Sequence, residues 1–202
     1  MAMAHALAHL HANLGQFEAA RPLATRCQEI AAESGQHAEA ATITEVAWDV
    51  ETLTGDHEAA ETIIADGCDR FAAMGEPSPM LERLLVLSRL ALGRAVNVDR
   101  LTEFAAQGTG WLWANPLRVI ALVKAASGNV VEAETQARAV VEAFMPTDLV
   151  TFHGDALLTL GDVLRSAGRS SEADAAFQEA LDLYRQKGSL VGVARATARL
   201  AG

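Results

Sequence analysis

Apolar residues recur along this chain in runs at helical spacing, and short polar turns that begin with glycine separate the runs. Four turns open with a similar phrase: GQFEAA from Gly15, GDHEAA from Gly55, GNVVEA from Gly128 and GRSSEA from Gly168. A weaker copy begins at Gly93, so the five glycines stand 40, 38, 35 and 40 residues apart. Self-similarity at this period predicts one helical unit stacked on itself.

The residue types of the repeated phrase suit a connection between two helices. Glycine closes the preceding helix because it adopts the left-handed backbone conformation without steric cost. The glutamate then lies near the positive end of the next helix dipole, and the alanine is small where two helices cross. The phrase therefore predicts antiparallel helix pairs, which bury their apolar faces only when neighbouring pairs stack.

The apolar pattern predicts eleven helices and no strand. We expect them over residues 2–13, 17–34, 37–54, 57–74, 79–92, 97–107, 116–127, 130–145, 148–167, 171–187 and 189–201. Ser78 before Pro79 and Asn115 before Pro116 each indicate a helix start, because a capping side chain precedes a proline. Residues 108–115 break the repeat rhythm, which predicts a local irregularity or a bend.

These helices predict a single all-α domain over residues 1–202, a right-handed α-α superhelix of about five helix pairs and one capping helix. The pairs would span residues 2–34, 37–74, 79–107, 116–145 and 148–187, and the cap residues 189–201. Since a terminal repeat needs a cover, we expect the cap to bury Leu190, Val193, Ala194, Thr197 and Leu200.

Composition narrows the classes of function. Hydrophobic residues make up 50% of the chain but aromatic residues only 5%, so alanine and leucine must supply most of the packing. The net charge of -10 argues against a nucleic-acid partner, which requires a basic surface. No apolar run approaches the ~18 residues of a membrane span, and no basic segment precedes a signal core. We therefore expect a cytoplasmic protein without a membrane partner.

The repeat resembles the tetratricopeptide repeat, in which the first helix carries small and apolar residues, the turn a glycine and an aromatic, and the second helix alanines. In the first unit the matching residues are Leu7, Ala8, Gly15, Phe17, Ala20 and Cys27. In the last unit they are Leu157, Leu160, Gly161, Gly168, Ala173, Phe177 and Ala180. The third unit departs most, because Ala95 and Val98 replace the turn aromatic and the packing alanine.

A narrower resemblance covers the stretch from Asp155 to Gly202. It is similar to the closing repeat of large bacterial signalling proteins in which a nucleotide-cyclase or transcriptional-regulator region and an AAA or related NTPase module precede a repeat array. Those catalytic parts are absent from this sequence. The resemblance implies that the chain is a C-terminal fragment or a shortened relative of such a protein.

The tetratricopeptide resemblance also implies a partner-binding surface. In that family the first helices of successive pairs line an inner wall that faces the ligand. Transferred to this chain, the binding wall consists of His5, His9, Asn13, Glu45, Asp49, Thr52, Arg83, Leu87, Arg118, Leu122, Leu158, Asp162 and Arg165. Arg83 and Arg118 could together hold one carboxylate or phosphate.

Motifs for catalysis and metal binding are scarce in the sequence. No phosphate-binding Gly-Lys-Ser/Thr loop and no Gly-x-Ser-x-Gly turn occurs, so we expect no catalytic residues and no enzyme activity. His5 and His9 stand at the i, i+4 spacing of a metal pair, but a third ligand such as His37 would have to come from another helix. We expect neither a metal nor another cofactor. The aromatic pair at Trp111 and Trp113 fits either packing or an exposed partner anchor.

Two classes of function stay open. The favoured one is a non-catalytic scaffold that binds a protein, a peptide or other domains of a longer parent protein. The alternative is a sensor that captures a peptide or a small anionic effector and regulates an attached ATPase, cyclase or transcriptional regulator. Self-association at the N-terminal end, which has no obvious polar cap, is a further hypothesis.

Overall fold

A computed structural model of the chain describes residues 2–34, 37–75, 77–108 and 110–202. All regular structure within these ranges is α-helical. The helices are α1 (Ala2–Asn13), α2 (Phe17–Ser34), α3 (His37–Thr54), α4 (His57–Ala73), α5 (Pro79–Ala91), α6 (Asp99–Ala105), α7 (Trp111–Ala126), α8 (Val130–Phe144), α9 (Val150–Ser166), α10 (Ser170–Lys187) and α11 (Leu190–Ala201).

The glycines of the repeated phrase adopt the conformation that their position predicts. Each has a positive φ, from 66° at Gly93 to 86° at Gly55 and Gly128, with Gly15 and Gly168 between these values. All five therefore close a helix in the left-handed region, where a residue with a Cβ atom is strained. The turn chemistry read from the sequence is confirmed.

The alanines of the phrase lie where the helices of a pair cross. Ala20, Ala60, Ala133 and Ala173 are completely buried. Because each is the fourth residue of its helix, the pairs come into close contact immediately after the turn. The complete burial of these alanines confirms the prediction that two helices pack closely at this position of the phrase.

One helix begins earlier than predicted. α7 begins at Trp111 rather than at Pro116, with Gly110 at its N-cap and Pro116 inside the helix. Asn115 is consequently a buried helical residue and caps nothing. The cause is packing: Ala114, which precedes the proline, belongs to a buried cluster with Val140 and Phe144, so the helix extends backwards to place it there.

The described residues divide into two compact units, Met1–Val96 and Asn97–Gly202. In unit 1, α2 contacts α1 and α3, and α4 contacts α3 and α5. In unit 2, α7 contacts α6 and α8, and α9 contacts α8 and α10, with α11 against α10. That the two units form one domain over residues 1–202 stays a prediction.

The boundary falls inside the expected third pair, residues 79–107. α5 packs on α4 in unit 1, whereas α6 packs on α7 in unit 2. α6 is also the shortest helix of the described chain, with seven residues, and residues 94–98 before it are not helical. This is the repeat whose turn lacks both the aromatic and the packing alanine, so the weakest copy of the phrase coincides with the boundary.

The closing helix covers its neighbours through a different face from the one expected. Leu190, Ala194 and Thr197 are exposed, which corrects their assignment to the buried side. The buried residues of α11 are Gly192 and Ala196. Val193 and Leu200 pack against the core of unit 2 as expected. Position 192 holds glycine because the ring of Tyr184 leaves no space there for a larger side chain.

Candidate interaction surface

Unit 1 brings five polar side chains of its first helices together on one face, which we call the first-helix face of unit 1. It consists of His5 and His9 on α1, Glu45 and Asp49 on α3, and Arg83 on α5. The rings of His5 and His9 meet edge to face with centroids 4.8 Å apart. His9 Nδ1 lies 3.5 Å from Asp49 Oδ2, and Arg83 forms an ion pair with Glu45. The structure therefore brings together all five of these predicted wall residues.

Arg83 is more deeply placed than the wall prediction requires. Its side chain is only 3% exposed, and the carboxylate of Glu45 neutralises its charge. An arginine buried in this way cannot reach out to a ligand, which corrects the assignment of Arg83 as an exposed anion contact. Its place next to Glu45 instead makes it a structural support for the first-helix face of unit 1.

The surroundings of His9 favour its neutral form. Burial lowers the pKa of the His9 imidazole below its ordinary value, and the neighbouring His5 lowers it further. The carboxylate of Glu45 acts in the opposite direction but is outweighed. His9 is therefore expected to be neutral when the chain is folded at neutral pH.

Because of this environment, the stability of the folded chain should decrease as the pH falls. Because the folded pKa of His9 lies below that of the unfolded chain, protons bind preferentially to the unfolded state as pH falls through about 6.5. Stability contributed by neutral His9 is present above that pH and is lost below it. We expect the melting temperature to fall more between about pH 7.5 and about pH 5.5 in the wild type than in His9→Gln. An equal fall in both proteins would contradict the assignment.

Three polar atoms on the first helices of unit 1 are buried without a hydrogen-bond partner among the described residues. They are His5 Nε2, Thr52 Oγ1 and Arg83 Nε. A buried polar atom without a partner costs free energy, so such atoms are rare in folded proteins. Similar atoms occur elsewhere in the described chain, at His57, Asn115, Arg118, Gln136 and His153, so these three atoms do not by themselves mark a binding site.

In unit 2, a partly buried ionic network joins three helices around Asp155 of α9. The hydroxyl of Tyr184 donates to Asp155 Oδ1 over 2.6 Å, and Arg195 of α11 donates to the same oxygen over 3.0 Å. Burial alone would raise the pKa of the Asp155 carboxyl, but Arg195, Arg118 and Tyr184 together lower it below its ordinary value. Asp155 is therefore ionised and held in place.

A second bridge fixes α11 one turn further along. Arg199 donates to both carboxylate oxygens of Asp162, over 2.8 and 2.9 Å. The predicted wall residue Asp162 is therefore already occupied by a side chain of the same unit. In unit 2, α11 lies on the part of α9 that the resemblance had assigned to a partner.

The remaining predicted wall residues of unit 2 differ in how much of their side chain is exposed. Leu158 is 2% exposed and belongs to the core, so its assignment as a contact residue is corrected. Arg165 faces α10, where it lies over the ring of Phe177 and donates to Asp174. Leu122 is half-buried. Only the half-buried members keep a surface that a partner could contact.

In unit 1, Leu87 packs against the core cluster around Trp48 and is half-buried. Asn13 donates to the carbonyl oxygen of His9, which fixes its side chain along α1. Trp48 is buried, and its indole N–H donates to the hydroxyl of Ser88 over 2.7 Å. The small Ser88 on α5 provides the space that the large indole requires.

The aromatic segment at the start of α7 supplies packing. Trp113 is half-buried and meets Phe104 of α6 edge to face, with centroids 4.8 Å apart. Its indole covers Gly108 so closely that a Cβ atom there would overlap the ring. Of the two interpretations of this segment, packing therefore describes Trp113, and the side chain of Trp111 lies outside the described residues.

Sequence reasoning missed Tyr184, Arg195 and Arg199, which organise the network of unit 2. The sequence did contain a signal for the arginines. Arg195 and Arg199 are four residues apart, so they share one face of their helix. Asp155 and Asp162 are seven residues apart and share one face of theirs. The sequence predicted that the cap would pack against the fifth helix pair, but it did not indicate that Arg195 and Arg199 would meet the carboxylates of α9.

No group of three His, Cys, Asp or Glu residues within the described ranges could hold a metal ion. Cys27 and Cys68 are not joined by a disulfide, and burial raises the pKa of the Cys27 thiol. Among the helices of the described ranges, none combines the length and the apolar character that crossing a bilayer requires.

Two segments of the chain are similar in sequence to a known repeat family. Residues 2–34 and 154–187 match the sequence model of the tetratricopeptide repeat, which together is about a third of the chain. All regular structure in the described ranges is α-helical, and the two matched helix pairs, α1 with α2 and α9 with α10, resemble those of the tetratricopeptide repeat (TPR). No curated protein sequence matches it.

A solved structure with similarity to the chain is that of YrrB, described as a TPR protein with an unusual peptide-binding site. The two share 17% sequence identity, the match covers 96% of this chain and 90% of that one, and the TM-score is 0.47. That the helix pairs of the present chain form one right-handed superhelix stays a prediction.

Proposed function

We propose that this chain is a non-catalytic interaction module that binds a peptide or a protein segment on the first-helix face of unit 1. The observation that carries the proposal is the row of half-buried polar side chains on α1 and α3, in which His9 and Asp49 keep 35% and 31% of their side-chain surface exposed. A peptide offers donors and acceptors to an imidazole and a carboxylate placed in this way. Two matches to a repeat family known for helical scaffolds support the same class.

The charges of this face favour a basic partner. Glu45 and Asp49 supply two carboxylates, whereas Arg83 supplies one guanidinium and His9 is neutral near pH 7. The excess negative charge agrees with the net charge of -10 of the whole chain. We therefore propose a peptide with at least one lysine or arginine, whose charge would set orientation and association rate more than affinity.

The alternative function, capture of a small anion by Arg83 and Arg118, has less support. Glu45 pairs with Arg83, and Asp155 lies close enough to Arg118 for each to feel the charge of the other. An added anion would have to compete with these carboxylates for the guanidinium groups of the two arginines. The proposed context, a module within a larger signalling protein, rests on the resemblance of residues 155–202 alone.

Selection from a random peptide library on the immobilised chain tests the proposal. We expect enriched peptides to contain basic residues and to bind at least tenfold more weakly to Asp49→Lys, because the reversed charge repels them. Asp182→Lys, which reverses an exposed carboxylate on α10 of unit 2, is the matched control and should leave binding unchanged. Enriched peptides that bind both variants equally well would overturn the proposal.

A further inference from the structure

The first helix exposes its apolar side chains. Of the residues of α1 whose side chains the structure describes, those that are exposed are Met3, Ala6, Leu7 and Leu10. Met3 is 78% exposed, Leu7 41% and Leu10 53%. The polar residues of the same helix, His5 and His9, are instead half-buried towards α3. An amphipathic surface helix normally has the opposite orientation.

These four residues form one ridge. Their positions 3, 6, 7 and 10 follow the i, i+3, i+4, i+7 spacing that places side chains on a single helix face. We call them the α1 ridge. Within unit 1, α3 contacts α1 on one flank and α5 on the other, whereas α1 contacts α2 and α3. The α1 ridge is the side of a first helix that the unit itself leaves uncovered.

We infer that the α1 ridge is a self-association surface, on which α1 of a second copy of this chain packs antiparallel. The ridge is self-complementary: about a twofold axis between Ala6 and Leu7, Met3 faces Leu10 of the other copy and Ala6 faces Leu7. At both ends of the contact the large side chains of Met3 and Leu10 meet. At its centre the large Leu7 meets the small Ala6. An isologous contact of this kind closes as a dimer and does not propagate into a fibre.

The charge distribution makes α1 the helix through which two copies can meet with the least repulsion. Two chains with a net charge of -10 repel one another over most of their surfaces. Among the eleven helices of the described ranges, α1 is the one whose sequence contains no Asp, Glu, Lys or Arg. Contact through α1 therefore brings together the least charged helix of each copy, so apolar burial is opposed by the least local repulsion.

Sedimentation equilibrium on the full chain tests this inference. One helix pair buries less than the ~1,200 Å² of stable complexes, so measurements should extend to about 1 mM protein. We expect a monomer–dimer equilibrium that approaches twice the chain mass of 21.4 kDa. Leu7→Glu should weaken association at least tenfold while the far-UV circular dichroism is unchanged, because Leu7 is exposed. A monomer over the whole range would overturn the inference.

Controls separate this contact from other modes of association. Val131→Glu on α8 and Leu190→Glu on α11 replace exposed apolar residues elsewhere, and both should leave the dimer intact. Loss of association in Leu190→Glu would indicate head-to-tail contact and overturn the α1 pairing.

A charge swap tests the antiparallel register. The double variant Met3→Lys/Leu10→Glu places opposite charges against each other in an antiparallel pair and should associate more strongly than Leu10→Glu alone. If the double variant associates no better than the single one, the antiparallel register is wrong.

Discussion

Replacing Tyr184 by alanine is expected to lower the free energy of unfolding of unit 2 by about 3–5 kcal/mol, the cost of removing a buried aromatic ring. The ring is completely buried between Gly154 of α9 and Gly192 of α11. A Cβ atom at these glycines would lie 2.7 and 2.4 Å from ring atoms, so no neighbour can move in without rearrangement of the backbone. Truncation therefore leaves a cavity at the point where three helices meet.

Tyr184→Phe is the matched control, because it keeps the ring and removes only the hydroxyl that donates to Asp155. Arg195 still contacts that carboxylate, so the expected loss is about 1–2 kcal/mol. Urea denaturation followed by far-UV circular dichroism measures both variants. If Tyr184→Ala is no less stable than Tyr184→Phe, the ring does not organise unit 2.

The second large effect is expected at the ion pair of unit 1. Glu45→Leu should destabilise unit 1 by about 3 kcal/mol, because it leaves the buried guanidinium of Arg83 without its carboxylate. The double variant Glu45→Leu/Arg83→Met should be more stable than the single one, since apolar side chains of similar volume replace both charges. A double variant that is less stable than Glu45→Leu would show that the charge of Arg83 is stabilised by other groups.

An exposed pair in the same unit provides the control. Arg70 and Asp66 lie four residues apart on α4, with their charged atoms 2.7 Å apart, and both are more than half exposed. Asp66→Ala should cost less than about 1 kcal/mol, because solvent screens this pair and replaces the lost contact. Equal costs for Asp66→Ala and Glu45→Leu would contradict the importance of burial at Arg83.

The helices and turns were predictable because their determinants are local. Positive φ at Gly15 and complete burial of Ala20 follow from the phrase in which they occur. The same phrase predicts where helices end and which small residue lies at each crossing. Most helix ends consequently differ from the prediction by no more than two residues.

Errors arose where a contact between helices outweighed a local signal. Asn115 and Pro116 form a well-defined helix start in sequence, yet burial of Ala114 favours four further helical residues ahead of Asn115. In α11, the prediction chose the largest apolar residue, Leu190, for the buried side. The space available above Tyr184 admits only Gly192 there.

The binding wall was predictable as a set of helix faces but not as a set of accessible groups. His9 and Asp49 come together as the repeat geometry implies. Exposure depends on the second element that covers each side chain: Arg83 is buried against α3, and Asp162 is engaged by α11. No spacing within one helix encodes that information.

The sequence by itself determined the helical repeat, the glycine turns, the packing alanines and the acidic character of the chain, because each depends on residues within one or two helical turns. The tertiary structure alone decided which charges are buried and which side of each terminal helix is covered. Those outcomes depend on side chains some 30 to 40 residues apart, such as Arg195 with Asp155 and Arg83 with Glu45. The apolar α1 ridge is the clearest case, since its exposure follows from which neighbours α1 contacts.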